Sequence, residues 1–459
     1  MPVKERYHTI IIGGGIGGLM AAYELVQRGQ KDILLLEKGT ELAERKCPIV
    51  SGQAELCLEC SPCHIMTGLA GAGAFSDGKY VISTEYGGWL TDVLEPDLVM
   101  ELIERADSIL VRFGATRNRY VPDESLKLKC LQNDMHMQQA ILKHLGTDEN
   151  YKTMSNLIEY LRERIDIRSG TEAYDIDKSS KAVYFKGREN GQSVADNIII
   201  AVGRFGSKFF SSWCLRNGIE LFNNQVDVGA RVELPAIIWE HFSRSVYEPK
   251  IFFRSKQYGD YTRMFCFCER GSVVTENTDG VITVNGHSYR DAERKTENSN
   301  FALLVTTRFT KPFKEPIEYA RYVASLANKI SGGNVLVQRF GDLLKGRRTD
   351  EKRLAQSTTR PTLKAVPRDL SLCMPKRQLD NIIETLFALD KVAPGTANHD
   401  TLLYGVECKY YSARPRCDGN FMIEGTDSIY AIGDGAGFTR SLSHAAANGL
   451  YVAGKIASK

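Results

Sequence analysis

Residues 13–18 read Gly-Gly-Gly-Ile-Gly-Gly, and the flanks of this run constrain the fold more than any other part of the chain. Thr9-Ile10-Ile11-Ile12, just before it, is a short, unbroken apolar run, as expected of a strand buried on both faces of a parallel sheet. Residues 19–28 have helical character and stop at Gly29, a C-cap glycine. Ile33-Leu34-Leu35-Leu36 reads as a second strand, and Glu37 ends it 19 positions after Gly18. The chain therefore opens with a βαβ unit carrying a G-x-G-x-x-G turn, the pattern of a dinucleotide site. Gly13 permits the tight turn, and Gly15 lets a pyrophosphate approach the backbone. Gly17 lies in the same turn, and Gly18 lets the helix pack close to the strand. The free N–H groups and positive dipole end of the helix suit phosphate. Glu37 can accept hydrogen bonds from adenosine ribose hydroxyls, with Lys38 beside it. A carboxylate there argues against a 2′-phosphate and hence against NADP. NAD and FAD both satisfy this motif.

A chain of 459 residues is long for one core. Its segments suggest domains interleaved in sequence. Residues 1–90 form a first nucleotide-binding part whose second half is a Cys-rich loop, and 91–160 read as a helical insertion. Residues 161–211 contain strand patterns at 167–176 and 181–186, then the buried strand Asn197-Ile198-Ile199-Ile200-Ala201. Residues 212–419 mix strands (226–233, 263–268, 301–306) with helices (315–331, 376–390) and form a substrate or cap domain. Residues 420–459 return to the opening style, with a strand at 428–432 and a helix from 442 to 458.

That return decides between the cofactors. Ile429-Tyr430-Ala431-Ile432-Gly433-Asp434-Gly435 resembles the closing strand motif of the glutathione-reductase-like FAD/NAD(P)-binding superfamily, and the resemblance implies FAD. In that superfamily the Asp binds the ribityl chain, a role that falls here on Asp434, next to Gly433. The helix that follows, with Ser443 in its first turn, would direct its N-terminus at the N1–C2=O edge of the flavin. The run Ile198 to Gly203 resembles the superfamily's Ala-Thr-Gly turn, with Ala201 and Gly203 in place and Val202 where Thr is usual. The strands before it would form a meander near the adenine, with Ala173 on its first strand. Gly71-Ala72-Gly73-Ala74-Phe75-Ser76-Asp77-Gly78-Lys79, Tyr404-Gly405-Val406-Glu407 and the Gly433-to-Gly437 run are similar to a broad family of bacterial and archaeal FAD-dependent dehydrogenases whose reactions are mostly unassigned. That resemblance runs along nearly the whole chain. It implies that the loop with Gly73 and Ala74 approaches the pyrophosphate and isoalloxazine. The expected fold is α/β: a discontinuous, glutathione-reductase-like Rossmann-type FAD-binding domain with an inserted mixed α+β substrate domain. The expected activity is electron or hydride transfer between flavin and a small-molecule substrate.

Cys47, Cys57, Cys60 and Cys63 follow C-x9-C-x2-C-x2-C, with Pro48 after the first. Three chemistries fit this spacing, a [4Fe–4S] cluster, a zinc site, and a redox dithiol of Cys60 and Cys63, against the alternative of free or buried thiols with no joint role. A cluster would make an electron-transfer protein a natural partner. On the substrate side, Arg263, Arg339, Arg347 and Arg360 are candidates for binding a carboxylate or phosphate, with surface salt bridges the favoured alternative for each, and Tyr404, Glu407 and His399 for proton transfer, with packing alone as the alternative. Cys266 and Cys268 would share one face of a strand. A second G-x-G-x-x-G with its acidic partner is absent, so no dedicated NAD(P)H domain is expected. With 59 basic and 56 acidic residues the net charge is +3, which gives no case for nucleic acid. No apolar run of spanning length and no signal-peptide pattern occurs, so a cytoplasmic location without membrane contact is expected. The alternatives are a flavin-bound scaffold without turnover and a flavin-dependent enzyme acting on nucleic acid.

Overall fold

The computed structural model describes residues 3–48, 51–54, 58, 60–138, 140–278, 280–289, 292–307, 309, 313 and 315–458. The chain divides into two units: residues 1–118, 143–224 and 411–459 form the first, and 119–142 with 225–410 the second.

The first unit is built on a parallel sheet. Its strands run in the order Asp166–Arg168, Ile33–Leu36, Arg6–Ile12, Gly191–Ile200, and Ile429–Ala431 also pairs with Gly191–Ile200. The opening strands step outward one way from Arg6–Ile12, and the later strands step the other way. This is the doubly wound pattern, and its switch point lies between Arg6–Ile12 and Gly191–Ile200. Gly191–Ile200 is long enough to extend the same seven-stranded sheet: its first half pairs antiparallel with Ala182–Gly187, which pairs with Thr171–Asp177. The helices Ile16–Gln27 and Leu442–Ala457 pack on each other through small residues. A Cβ on Gly449 would lie 2.2 Å from the Gly17 carbonyl oxygen, so these two helices touch backbone to backbone.

The second unit is an eight-stranded sheet in the order Val366–Pro367, Leu336–Arg339, Leu402–Lys409, Val226–Pro235, Asn298–Thr307, Tyr261–Cys268, Lys250–Arg254, Met135–Gln138. All its pairs are antiparallel except the first. Val228, Val232, Phe301, Leu303 and Leu403 line its core, with Ile382 and Leu386 of the helix Lys376–Asp390.

The expected helical insertion at 91–160 needs correction. Helices occur at Pro96–Arg112, Glu124–Leu131 and Gly146–Arg162, but Met135–Gln138 and Ile141–His144 are strands. Met135 and Met137 are buried while His136 between them is exposed, a period of two that belongs to a sheet. Met135–Gln138 pairs with Lys250–Arg254 and so joins the second unit. Residues 212–224 and 411–419, assigned by sequence to the inserted domain, fold with the first unit. There Leu221 and Phe222 pair with Pro415 and Arg414. Among the described residues no helix is long and apolar enough to cross a membrane.

Candidate functional site

Parallel pairing brings the chemistry-bearing turns to one edge of the first unit's sheet. The Gly13 amide donates to Leu36 O, the Ala201 amide to Ile12 O and the Ile432 amide to Ile200 O. The turns after these strands, at 13–18, 37–40, 201–203 and 433–434, therefore sit side by side at the carboxyl ends, where open α/β sheets bind ligands.

Each glycine has a separable reason. Gly13 has φ +111°, and a Cβ there would lie 2.3 Å from Ala201 O. A Cβ on Gly18 would lie 2.1 Å from Gly13 O, and one on Gly17 3.1 Å from Ala445 O. These three are demanded by the protein's own backbone. Gly15 is not: its φ of −74° suits any residue, and the nearest atom to a Cβ there is Gly71 Cα at 4.0 Å. Neither strain nor packing requires a glycine at 15, whereas close approach of a ligand does. The helix it caps has no side-chain cap and no acidic residue in its first turn, so its first amides are open to a ligand anion. A pyrophosphate fits this cradle.

Glu37 is buried and already employed. One carboxylate oxygen accepts from the Gly39 and Gly68 amides at 2.8 and 3.0 Å, the other from the Gly14 amide at 2.8 Å. A carboxylate offers about four acceptor positions, so one remains for a ribose hydroxyl. Its first duty is structural: it ties the glycine turn to the 68–71 loop. Lys38 is half-buried with its ammonium 5.3 Å from the Phe205 ring. The meander that begins at Thr171 is attached here, since the Thr171 amide donates to Glu37 O and the Gly170 amide to Gly39 O. Ala173 is buried two residues further along.

Arg45 was missed by sequence reasoning. It is buried, and its guanidinium donates to the carbonyls of His64, Ile65, Leu69 and Gly71 at 2.7–2.9 Å while lying 4.7 Å from the centre of the Phe75 ring. Burial pulls its pKa down to about 10, which leaves it charged at neutral pH. One side chain thus holds the loop that faces Gly15 and adds a positive charge beside it. No local pattern marks it, because its four partners lie 19 to 26 residues away. Asn150, also missed, is fully buried. It donates to Gly73 O at 2.7 Å and accepts from the Tyr80 hydroxyl at 2.9 Å, which fixes the turn with Gly73 and Ala74.

At the other end, Gly203 and Gly433 both have positive φ, +63° and +76°, and no protein atom within 4 Å of a Cβ position. The Gly433 amide donates to the Asn448 side-chain oxygen at 2.9 Å. The Nδ2 of Asn448, fully buried, finds no acceptor among the described residues. Asp434 accepts from the Thr439 hydroxyl at 2.5 Å, with Arg204 at 3.9 Å. Desolvation raises its pKa, against the pull of Arg204, Thr439 and Arg440. Ser441 caps the last helix by accepting from the His444 amide, and Ser443 is buried in its first turn.

The cysteine group is not assembled by what is described. Cys57 lies outside the described residues; Cys47, Cys60 and Cys63 are half-buried free thiols. Among the described residues no group of three or more His, Cys, Asp or Glu side chains is arranged to hold a metal.

In the second unit the candidate arginines are occupied. Arg263 pairs with Asp227, Arg339 with Asp400 and Arg347 with Asp342, while Arg360 donates to Ala355 O. Tyr404 is buried and donates to Glu233 at 2.6 Å, and burial raises its pKa well above the ordinary value. Glu407 is buried 3.5 Å from Arg231, and His399 is an exposed residue against Gly341. A bulge between Phe265 and Cys268 breaks the expected alternation of the two cysteines. It puts Cys266 at φ +54° and Cys268 Sγ 3.2 Å from Arg231.

Two sequence families match parts of the chain. The family described as "FAD dependent oxidoreductase" matches residues 8–46, and "FAD-dependent protein, C-terminal domain-like" matches residues 243–410. A protein of Clostridium beijerinckii, itself described only as uncharacterized, is 27% identical over an alignment that covers 100% of this chain and 81% of its own. Among solved structures, glycine oxidase from Bacillus cereus is similar at 12% identity and a TM-score of 0.40, covering 98% of this chain and 94% of its own. L-proline dehydrogenase from P. horikoshii is similar at 12% identity and a TM-score of 0.41, covering 98% of this chain and 92% of its own.

Proposed function

We propose that this chain, an FAD-dependent oxidoreductase by the families it matches, is a dehydrogenase or reductase of the glutathione-reductase-like kind that exchanges electrons with a small-molecule substrate. The observation that carries this reading is Gly15, a glycine that neither backbone strain nor protein packing demands, at the N-terminus of a buried helix that has no side-chain cap. When bound, FAD supplies the reversible acceptance of two electrons and a proton, or of electrons singly. The chain's own residues divide the work of holding it. Gly13 and Gly15 with the first helix take the pyrophosphate, and Glu37 with the meander at Ala173 takes the adenosine. Asp434 takes the ribityl hydroxyls. The capped start of the last helix, with Ser443, presents amides and a positive dipole end to the ring system and thereby favours negative charge there. Arg45 and Asn150 hold the Gly71-to-Ala74 turn against these groups.

Two measurements test the reading. Apoprotein titrated with FAD and with NAD should quench flavin fluorescence with FAD and show no saturable binding of NAD. Anaerobic mixing of the FAD-loaded protein with candidate substrates should then bleach the flavin band. Uptake of FAD with no substrate-driven bleaching would leave a scaffold, and failure to take up FAD would end the proposal.

A second reading adds an iron–sulfur centre that would connect the flavin to an electron-transfer protein. In its favour, the Cys63 carbonyl accepts from the Thr67 amide and Arg45 grips the adjacent His64 carbonyl, which ties the cysteine segment to the flavin-facing loop. Iron and acid-labile sulfide assays on anaerobically purified protein decide it, and a yellow protein without iron refutes it.

A further inference from the structure

Arg440 is the residue before the N-cap of the last helix, six positions after Asp434. Its guanidinium packs against two rings, 5.1 Å from the centre of Trp89 and 5.5 Å from that of Tyr411. The two rings meet edge to face at 5.3 Å. Arg440 Nη1 donates to the Tyr411 hydroxyl at 3.3 Å.

The platform is rigid. The Trp89 amide donates to Phe438 O at 2.8 Å and the Arg440 amide to Gly87 O at 2.9 Å. Gly87 and Gly88 have φ of +119° and +154°. A Cβ on Gly87 would lie 2.6 Å from the His444 ring, and one on Gly88 2.7 Å from Phe438 O. The 87–89 loop is thus pressed on the start of the last helix, and Trp89 is held over the arginine.

A second arginine supplies the contrast. Arg414 also lies over Trp89, at 5.0 Å, but pairs with Asp92 at 2.9 Å and donates to Asn224. Arg440 makes no ion pair among the described residues, and the Tyr411 hydroxyl is its side-chain hydrogen-bond partner. Asp434 feels its charge but lies nearer Arg204 and accepts from Thr439. A half-buried guanidinium packed on two aromatic rings, with most of its five N–H donors free, is a fork suited to an anion. Since Arg204 and Arg414 already face carboxylates, one positive charge is on offer. That matches a planar monoanion, which a guanidinium binds through two parallel hydrogen bonds, better than a doubly charged phosphate.

We propose that Arg440, packed against Trp89 and Tyr411, anchors a carboxylate of the substrate, so that the substrates are small carboxylic acids. This rests on the flavin reading above, which puts the ring system at the start of the same helix.

The test uses FAD-loaded protein, with acetate and benzoate as probes and acetamide and benzamide as their uncharged counterparts. Binding is followed by perturbation of the flavin spectrum and by tryptophan fluorescence. Wild type should bind at least one carboxylate and neither amide. R440Q should weaken that binding about tenfold or more, with FAD affinity unchanged within about twofold. R440K, which keeps the charge but loses the fork, should fall between them, and it carries the same comparison if R440Q does not fold. Equal carboxylate affinity in wild type and variant overturns the proposal, as does FAD-loaded wild type that responds to no carboxylate. A lowered flavin midpoint potential in R440Q with unchanged carboxylate affinity would assign Arg440 to the flavin and also overturn it. Wild type that takes up no FAD would refute the flavin reading itself, and this proposal with it.

Discussion

Gly15→Ala isolates the cofactor's demand from the protein's. At φ −74° and ψ 178° alanine is unstrained, and its methyl would meet Gly71 Cα at 4.0 Å, an ordinary contact. Loss of glycine at the N-cap costs up to about 1 kcal/mol. The reduced freedom of the unfolded chain returns about 0.4–1 kcal/mol. The apoprotein should therefore keep its stability within about 1 kcal/mol, or about 2–4 °C in Tm for a unit of this size. FAD binding should suffer, because the methyl stands where the pyrophosphate would meet the backbone. Overpacking of about 1–3 kcal/mol corresponds to a Kd roughly 5- to 150-fold weaker. Gly18→Ala is the opposite case. Its methyl would lie 2.1 Å from Gly13 O, so the turn must move whether or not a ligand is present. Thermal melts of the two apoproteins, followed by FAD titration monitored by fluorescence quenching, separate the effects. G15A that binds FAD like wild type, or that melts as low as G18A, would refute the assignment of Gly15 to the cofactor.

Two further outcomes follow from buried and capping groups. Arg45→Met leaves one buried and three part-buried carbonyls without their donor and should cost about 2–4 kcal/mol by urea denaturation, with FAD affinity falling as the 64–71 loop loosens; a loss below about 1 kcal/mol would contradict the stapling role. Asp123 caps the helix Glu124–Leu131 and accepts from Ser125 and Ser245, whose hydrogen bonds lower its pKa from 3.8 to about 2. A depressed carboxyl stabilises the folded state above the unfolded pKa and loses that contribution as pH falls through the folded one. Wild type should therefore lose stability between about pH 4 and 2 more steeply than D123N, and parallel curves from chemical denaturation would count against the cap.

The nucleotide-binding half was legible because its signals are local. Ile33–Leu36 and the turn at Gly13 to Gly18 follow from apolar runs and glycine spacing within a few residues, and Gly433-Asp434 announced itself by the same kind of motif. The strands at Met135–Gln138 and Ile141–His144 were read as helix because each is four residues long, too short for a period of two to stand out beside neighbouring helices. Of the four candidate arginines named from sequence, Arg263, Arg339 and Arg347 form ion pairs and Arg360 donates to a backbone carbonyl, whereas Arg440 was overlooked. A charge's availability depends on which carboxylates arrive within 4 Å, and composition does not record that.

The sequence by itself determined a βαβ opening, a closing strand with its helix, and the glycines that let backbone approach backbone. Those are properties of neighbours along the chain, where sterics and hydrophobic period act over one turn or one strand. Only the tertiary structure decided that Glu37 serves the amides of Gly14, Gly39 and Gly68, that Arg45 serves four carbonyls, and that Trp89 lies over Arg440, 351 positions away. Buried polar groups must find partners wherever the sheet order delivers them, and that order is set by long-range strand pairing, which no local pattern encodes.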